Sequence, residues 1–284
     1  MKLEIYGKLQ DDKIFCKEID SETIEINFSN SNLVSIDLSP LVYCLNLKSL
    51  DLSRNKLTAV DLSSLANCLQ LRTITLSENY LTSVILPSFK EGNSFWGLFI
   101  EDNLLSDIDL SPLKYCYKLE RFWIPKNKLT TIDFSPFGEY HSLESICLAG
   151  NQLKSIDLRY LKEWRKLAVL DLEYNQISSI DLIPLKWCEN LWSLNLSDNF
   201  LTSVELSPLA NNKNIEWLYL NNNQIKQIDL SKLAYCSMLQ TLSLDENQTI
   251  CWLNVVFDKK KLPKGLQIYS KKIKLAWKKY LKEI

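Results

Sequence analysis

An asparagine returns every 24 residues along this chain: Asn55, Asn79, Asn103, Asn127, Asn151, Asn175, Asn199, Asn223 and Asn247 keep the beat without one insertion. Each closes the same figure, L-x-x-L-x-L-x-x-N-x-L, which is complete at Leu47-Lys48-Ser49-Leu50-Asp51-Leu52-Ser53-Arg54-Asn55-Lys56-Leu57 and again at Leu71–Leu81. A weaker copy comes first, with Ile26 and Phe28 in the leucine places and Ser31 where the asparagine would be. A unit this short cannot bury its own apolar face, so its copies must stack and share one continuous core.

The spacing inside a unit says how the stack is built. Leu50 and Leu52 lie two apart and point to one face of a strand, while Asp51 points to the other. Parallel strands about 4.8 Å apart then form a sheet, and ten of them run for roughly 45 Å. The second half reads L-x-x-I-D-L-S-P-L-x-x-C, as in Leu33–Cys44. Ser39-Pro40 predicts a Ser cap with Pro opening a short helix, repeated at Ser111-Pro112, Ser135-Pro136 and Ser207-Pro208. The apolar residue after the aspartate (Leu38, Leu62, Leu110) admits a second short strand. The aspartate column itself (Asp37, Asp61, Asp109, Asp133, Asp157, Asp181, Asp229, broken by Ile85 and Glu205) suits turn capping. A cation ladder would need several oxygens converging on one ion, and no repeat supplies a second acid at a fixed offset. No metal is expected.

The figure resembles the leucine-rich repeat family over roughly residues 22–250. The resemblance implies an α/β solenoid: a horseshoe with a parallel concave β-sheet, short convex helices or 3₁₀ turns, an N-terminal β cap and a C-terminal helical cap. It also implies that each asparagine amide binds backbone groups of the adjoining turn, and that the chain binds another macromolecule, most often a protein, on the concave sheet. The expected organisation is a cap at 1–22, about ten repeats over 23–250 and a second cap at 251–284. Leu3–Tyr6 and Lys13–Cys16 read as two short strands across the polar turn Gln10-Asp11-Asp12, and Lys259–Lys261 with Pro263-Lys264-Gly265 as a solvated turn.

Cysteine usage bears on the compartment. Cys44, Cys68, Cys116, Cys188 and Cys236 all fall thirteen residues after a beat, in a column that elsewhere holds Gly92, Tyr140, Trp164 and Asn212. A thiol that alternates with such residues fills space as a small buried hydrophobe. Reduced cysteines, no continuous apolar run at the N-terminus and no stretch of ~20 apolar residues point to a cytoplasmic protein.

Catalysis finds little support. His141 is the lone histidine, on the convex half of its repeat, and phosphate-loop, dinucleotide and zinc-protease motifs are absent. No cofactor and no enzymatic activity are expected. The concave face offers more. Down its middle column run Asn27, Asp51, Thr75, Phe99, Trp123, Cys147, Asp171, Asn195, Tyr219 and Ser243. Phe99, Trp123 and Cys147 should be neighbours on successive rungs, flanked by Pro125 and Ala149, with Arg121 as the only base among Glu25, Asp51, Glu101, Asp171, Glu173 and Asp245. Exposed aromatics ringed by polar groups are what a protein-interface hot spot needs. The expected partner site is therefore Phe99 and Trp123, with Arg121, Glu101, Pro125 and Cys147 around them. Trp217 with Tyr219 forms a second patch, open between an interface and scattered surface aromatics. Trp96 and Trp192 read as residues tucked at the strand edge. A net-acidic face disfavours nucleic acid.

Charge is distributed unevenly. Residues 259–284 carry ten Lys against Glu283, a net +9, while the rest of the chain is −10. From Ser270 onward, helical spacing puts Ile273, Ala276, Trp277, Tyr280, Leu281 and Ile284 on one side. Lys271, Lys272, Lys274, Lys278, Lys279 and Lys282 lie around the rest. Such a helix either closes the last repeat or lies, with Trp277, on an anionic membrane or a partner. The alternative function is thus peripheral membrane association. Partner identity and oligomeric state stay open.

Overall fold

The computed structural model describes residues 1–138, 142–245, 250–253, 262–267 and 274–275, with 250–253 and 274–275 by backbone alone. The chain divides into two compact units, Met1–Gln152 and Leu153–Ile284.

In the first unit, strands Glu25–Asn27, Ser49–Asp51, Thr73–Thr75, Gly97–Phe99, Arg121–Trp123 and Ser145–Cys147 pair in parallel, each residue facing the one 24 positions on. The alternation works as the spacing predicts: Leu50, Leu52, Ile74 and Leu76 are fully buried, whereas Asp51 and Thr75 lie on the outward face. The second unit repeats the arrangement with Val169–Asp171, Ser193–Asn195, Trp217–Tyr219 and Thr241–Ser243.

The asparagines hold the turn after each strand. Asn55 accepts from the Ser31 and Leu33 N–H groups at 2.9 and 3.0 Å and donates to the Phe28 and Leu52 carbonyls at 2.8 and 2.9 Å. One amide thus serves its own turn and that of the preceding repeat, which locks the 24-residue spacing. The residue just before each beat is left-handed: Arg54, Glu78, Asp102 and Lys126 have φ between 54° and 58°. Gly150 takes the same place at φ 67°, where an L residue is disfavoured by roughly 1–2 kcal/mol.

Across the repeat, 3₁₀ turns follow the acidic column, including Ser39–Tyr43, Ser63–Asn67 and Ser135–Phe137 in the first unit and, in the second, Ile183–Trp187 and, after Glu205, Ser207–Asn211. The aspartates, not the serines, cap them. Asp37 accepts from the Ser39 N–H at 2.9 Å, Asp61 from Ser63 and Asp181 from Ile183 at 2.8 Å, and Glu205 does the same for Ser207. The serine sits inside the turn, too late to cap it, so the carboxylate two residues earlier meets the open N–H. Where Ile85 replaces the aspartate, residues 86–95 form no such turn; Phe89 and Phe95 pack there at 5.0 Å between centroids. The predicted second strand forms in some repeats, as Ala59–Asp61 paired with Ser83–Ile85.

The cysteine column is more than filler. Cys68 Sγ–H donates to the Leu41 and Cys44 carbonyls at 3.7 and 3.3 Å. Asn212, in the same column, sends its amide to the matching carbonyls of Leu185 and Cys188 at 3.1 and 2.6 Å. Thiol and amide alternate because both are small donors.

At the N-terminus, Lys2–Leu9 and Ile14–Asp20 form an antiparallel hairpin longer than the predicted one, and its first strand also pairs with Leu33–Asp37. Leu3 and Ile5 are buried, and Phe15 meets Phe28 edge-on at 5.2 Å. Beyond the last described repeat, two expectations need correction. The Pro263-Lys264-Gly265 stretch leads into a helical turn, Lys264–Gln267, that keeps Lys264 exposed but buries Leu262, Gly265 and Leu266. A Cβ on Gly265 would come within 3.1 Å of Leu239, so glycine permits that close approach. Lys274–Leu275 is not helical but a strand parallel to Trp252–Leu253. Ladder bonds to a neighbouring strand satisfy the backbone there in place of an isolated helix. Lys271, Lys272, Trp277, Lys278, Lys279 and Lys282 lie outside the described residues, as does His141.

Candidate partner-binding face

Strand alternation turns Phe99 and Trp123 outward on adjacent rungs, and the parallel register sets them side by side, with Cys147 beyond Trp123. Their rings meet edge to face at 5.8 Å and 82°. Trp96, just before its strand, meets Phe99 at 6.2 Å and 83°. The three rings form one row in which each presents an edge to the next, the favoured geometry for aromatic quadrupoles. Trp123 is 37% exposed, and its indole N–H donates to the Ser145 hydroxyl at 2.9 Å.

Gly97 makes room for the row. A Cβ there would lie 2.7 Å from Cε2 of Phe99, so the ring folds over the place a side chain would fill. Arg121 is exposed, and its guanidinium carbon stands 5.6 Å from the Trp96 ring centre, within cation–π range.

The polar rim differs from expectation. Arg121 is not its only base: Lys126 reaches Glu101 at 3.0 Å, and Arg54 reaches Glu78 at 3.0 Å. The Glu101 carboxylate, aided by Asp102 and Glu78, holds the Lys126 ammonium above the usual lysine range. Both bases occupy the left-handed position before the beat, which strand alternation does not cover. Pro125 is buried and offers no contact surface. The chain is already leaving the strand there, and the Pro125 carbonyl is taken by the Asp102 and Asn127 donors. Cys147 is half-buried.

In the second unit, Trp217 and Tyr219 share the outward face of one strand, as predicted. Trp217 is 37% exposed and meets Trp192 at 4.7 Å and 72°. Trp96 and Trp192 are therefore members of the two patches. The signal that could have found them is their shared place, seven residues before a beat, beside an outward residue of the next rung.

No group of three or more His, Cys, Asp or Glu able to hold a metal occurs among the described residues, and none of their helices is long and apolar enough to cross a membrane. None of the curated proteins matches this sequence. Among solved structures, the chain is similar to an internalin of Listeria monocytogenes, 24% identical over 88% of this chain and 74% of that one, with a TM-score of 0.57. It is also similar to a leucine-rich repeat protein of Leptospira interrogans, 19% identical, TM-score 0.59, covering 90% of this chain and 66% of the other. The functional domain of InlJ from L. monocytogenes, which includes a cysteine ladder, is 20% identical with a TM-score of 0.52, and the chain spans 62% of its length. At these identities the likeness speaks for the fold alone. Residues 24–90, 141–199 and 189–248 match the leucine-rich repeat family. These segments cover more than half of the sequence, and with the stacked strands and asparagine ladder in place, the chain belongs to the leucine-rich repeat family.

Proposed function

We propose that this chain is a non-enzymatic interaction scaffold that takes a protein partner on the outward sheet face of its first unit. The observation that carries the reading is the row Trp96, Phe99 and Trp123, three edge-to-face rings on the side turned away from the core. Rings of this size carry most of the energy in protein interfaces when a polar rim keeps water out. Arg121 and the Glu101–Lys126 pair supply that rim, and their geometry would select a partner by charge placement. Proteins of this repeat family generally bind protein partners, which agrees with the reading.

The test is a capture experiment with wild type and Trp123→Ala, run in parallel and identified by mass spectrometry. A partner retained by the wild type and lost by the variant, at an unchanged melting temperature, supports the site. Equal capture by a folded Trp123→Ala variant rejects it.

A further inference from the structure

The two aromatic patches occupy equivalent positions four repeats apart, and the difference between them is one of charge. Moving along the sequence by that interval carries Trp96 onto Trp192, Arg121 onto Trp217, Trp123 onto Tyr219 and Lys126 onto Asn222. In the first unit the chain lays its own guanidinium against the indole, at 5.6 Å. In the second unit that place belongs to another indole, Trp217, edge-on to Trp192 at 4.7 Å. Lys126, which neutralises Glu101, becomes a neutral amide. Both intramolecular cations have gone.

What surrounds the second patch is acidic throughout. The strand and turn segments 168–174, 192–198, 216–222 and 240–245 contain Asp171, Glu173, Asp198, Glu216 and Asp245 and not one Lys or Arg. Hydrogen bonds come to all five of these carboxylates from neutral groups, to Asp171 from the Glu173 backbone N–H at 3.1 Å. Ser197 Oγ donates to Glu173 at 3.2 Å, the Asn222 amide to Asp198 at 2.9 Å, Gln240 to Glu216 at 2.9 Å, and backbone N–H groups of Asn222 and Asn223 to Asp245. Burial pushes the Glu173 carboxyl above its ordinary range, and the neighbouring Asp171 and Asp198 charges add to the shift. An opposite charge brought close would favour the ionised form.

Resting on the reading of the sheet face as a protein-binding surface, we propose that the second unit seats a basic segment of a protein partner, its Arg or Lys side chains lying on Trp192, Trp217 and Tyr219 among these carboxylates. A guanidinium on an indole contributes most where the cation is partly desolvated, and the carboxylates supply both the long-range attraction and the charge-assisted hydrogen bonds that fix it. The first unit, whose indole already carries Arg121, would not accept the same group.

The experiment titrates the full chain into a fluorescein-labelled peptide of alternating Arg and Gly, with a Glu/Gly peptide of equal length as control, and reads anisotropy. The Arg/Gly peptide should bind and weaken as salt rises, and Trp217→Arg should lower its affinity about tenfold or more. The double variant Glu173→Gln with Asp198→Asn should weaken it as well, while Trp123→Ala binds as wild type; melting curves confirm that each variant is folded. Equal binding of the two peptides overturns the proposal. So does an unchanged affinity in folded Trp217→Arg, or loss of the peptide in Trp123→Ala alone. Only the last of these results involves the first-unit site, whose own test is whether Trp123→Ala loses its captured partner.

Discussion

The Trp123 indole N–H reaches one rung along the sheet to the Ser145 hydroxyl, 2.9 Å away. A ring on an open sheet face can rotate freely unless something holds it, and here one end is tied to the next strand while Phe99 stands against it at 5.8 Å. The ring is therefore set before any partner arrives, which lowers the ordering cost of binding.

Ser145→Ala removes the acceptor and leaves the strand untouched. We expect partner affinity to fall about three- to tenfold, in line with a single hydrogen bond worth ~0.5–1.5 kcal/mol, with a melting temperature close to wild type. Isothermal titration of the captured partner measures the first and calorimetry the second. An affinity equal to wild type would mean that the bond does not govern the ring.

Gly97→Ala tests the same row from its other side. The new methyl would lie 2.7 Å from Cε2 of Phe99, and because that atom is the far end of a half-buried side chain it can swing away. Gly97 is itself buried under that ring, so stability should fall modestly, by about 1 kcal/mol, if the ring yields. The Phe99–Trp123 contact would open, so the near-ultraviolet circular dichroism should change and partner affinity fall. A variant with native dichroism and native affinity would show that the glycine does not shape the site.

How much of this was legible in the sequence follows from what repeats. The asparagine frame, the parallel register and the outward placement of Phe99 and Trp123 all follow from offsets that recur in every unit, so alternation alone places them. Positions next to the strand do not obey alternation. Lys126 is left-handed, which swings its side chain back to Glu101. Pro125 lies where the chain turns inward, and is buried. Trp96 precedes its strand, and its ring meets Phe99 and Arg121 only through the folded backbone. Helical spacing misread Lys274–Leu275 because Ile273 and Leu275 also lie two apart, as strand residues do.

The asparagine ladder predicts a large stability effect from a small change. Asn127 accepts from the Leu105 N–H at 3.0 Å and donates to the Ile100 and Pro125 carbonyls at 2.8 and 3.1 Å. Asn127→Ala takes the partner from the buried Leu105 N–H and Ile100 carbonyl, while the Pro125 carbonyl keeps its Asp102 donor, and at ~1–3 kcal/mol for each unsatisfied group the loss should reach about 2 kcal/mol or more. Asn127→Asp keeps the acceptor but aims a carboxylate at two carbonyls, which raises its pKa in the folded state. Its folding stability is then greatest in acid and is lost as pH rises through that folded pKa. Urea unfolding at pH 4 and pH 7 reads both; an Asp variant as stable at pH 7 as wild type would remove the ladder from the account.

The buried thiols predict an alkaline limit. Burial pushes Cys68, Cys116 and Cys188 up to about 12 and Cys236 to about 11, from an ordinary 9.0. In the unfolded chain these thiols ionise near their ordinary value, whereas the native chain keeps their protons. Between those values the folded state binds more protons, so stability is fully present below about pH 9 and falls as pH climbs toward 11–12. Each thiol contributes at most ~1.4 kcal/mol per pH unit across that window, and Cys188→Ala should flatten the decline by one such share while lowering stability at neutral pH through the cavity it leaves. The same burial predicts chemistry: at pH 8 a small alkylating reagent should modify exposed Cys16 rapidly, whereas Cys44, Cys68, Cys116, Cys188 and Cys236 react only when the chain unfolds. Denaturant titrations from pH 7 to pH 11, paired with mass-resolved alkylation, measure both. A stability profile flat above pH 9, or fast labelling of Cys116 in the native state, would show that the thiol column is open to solvent.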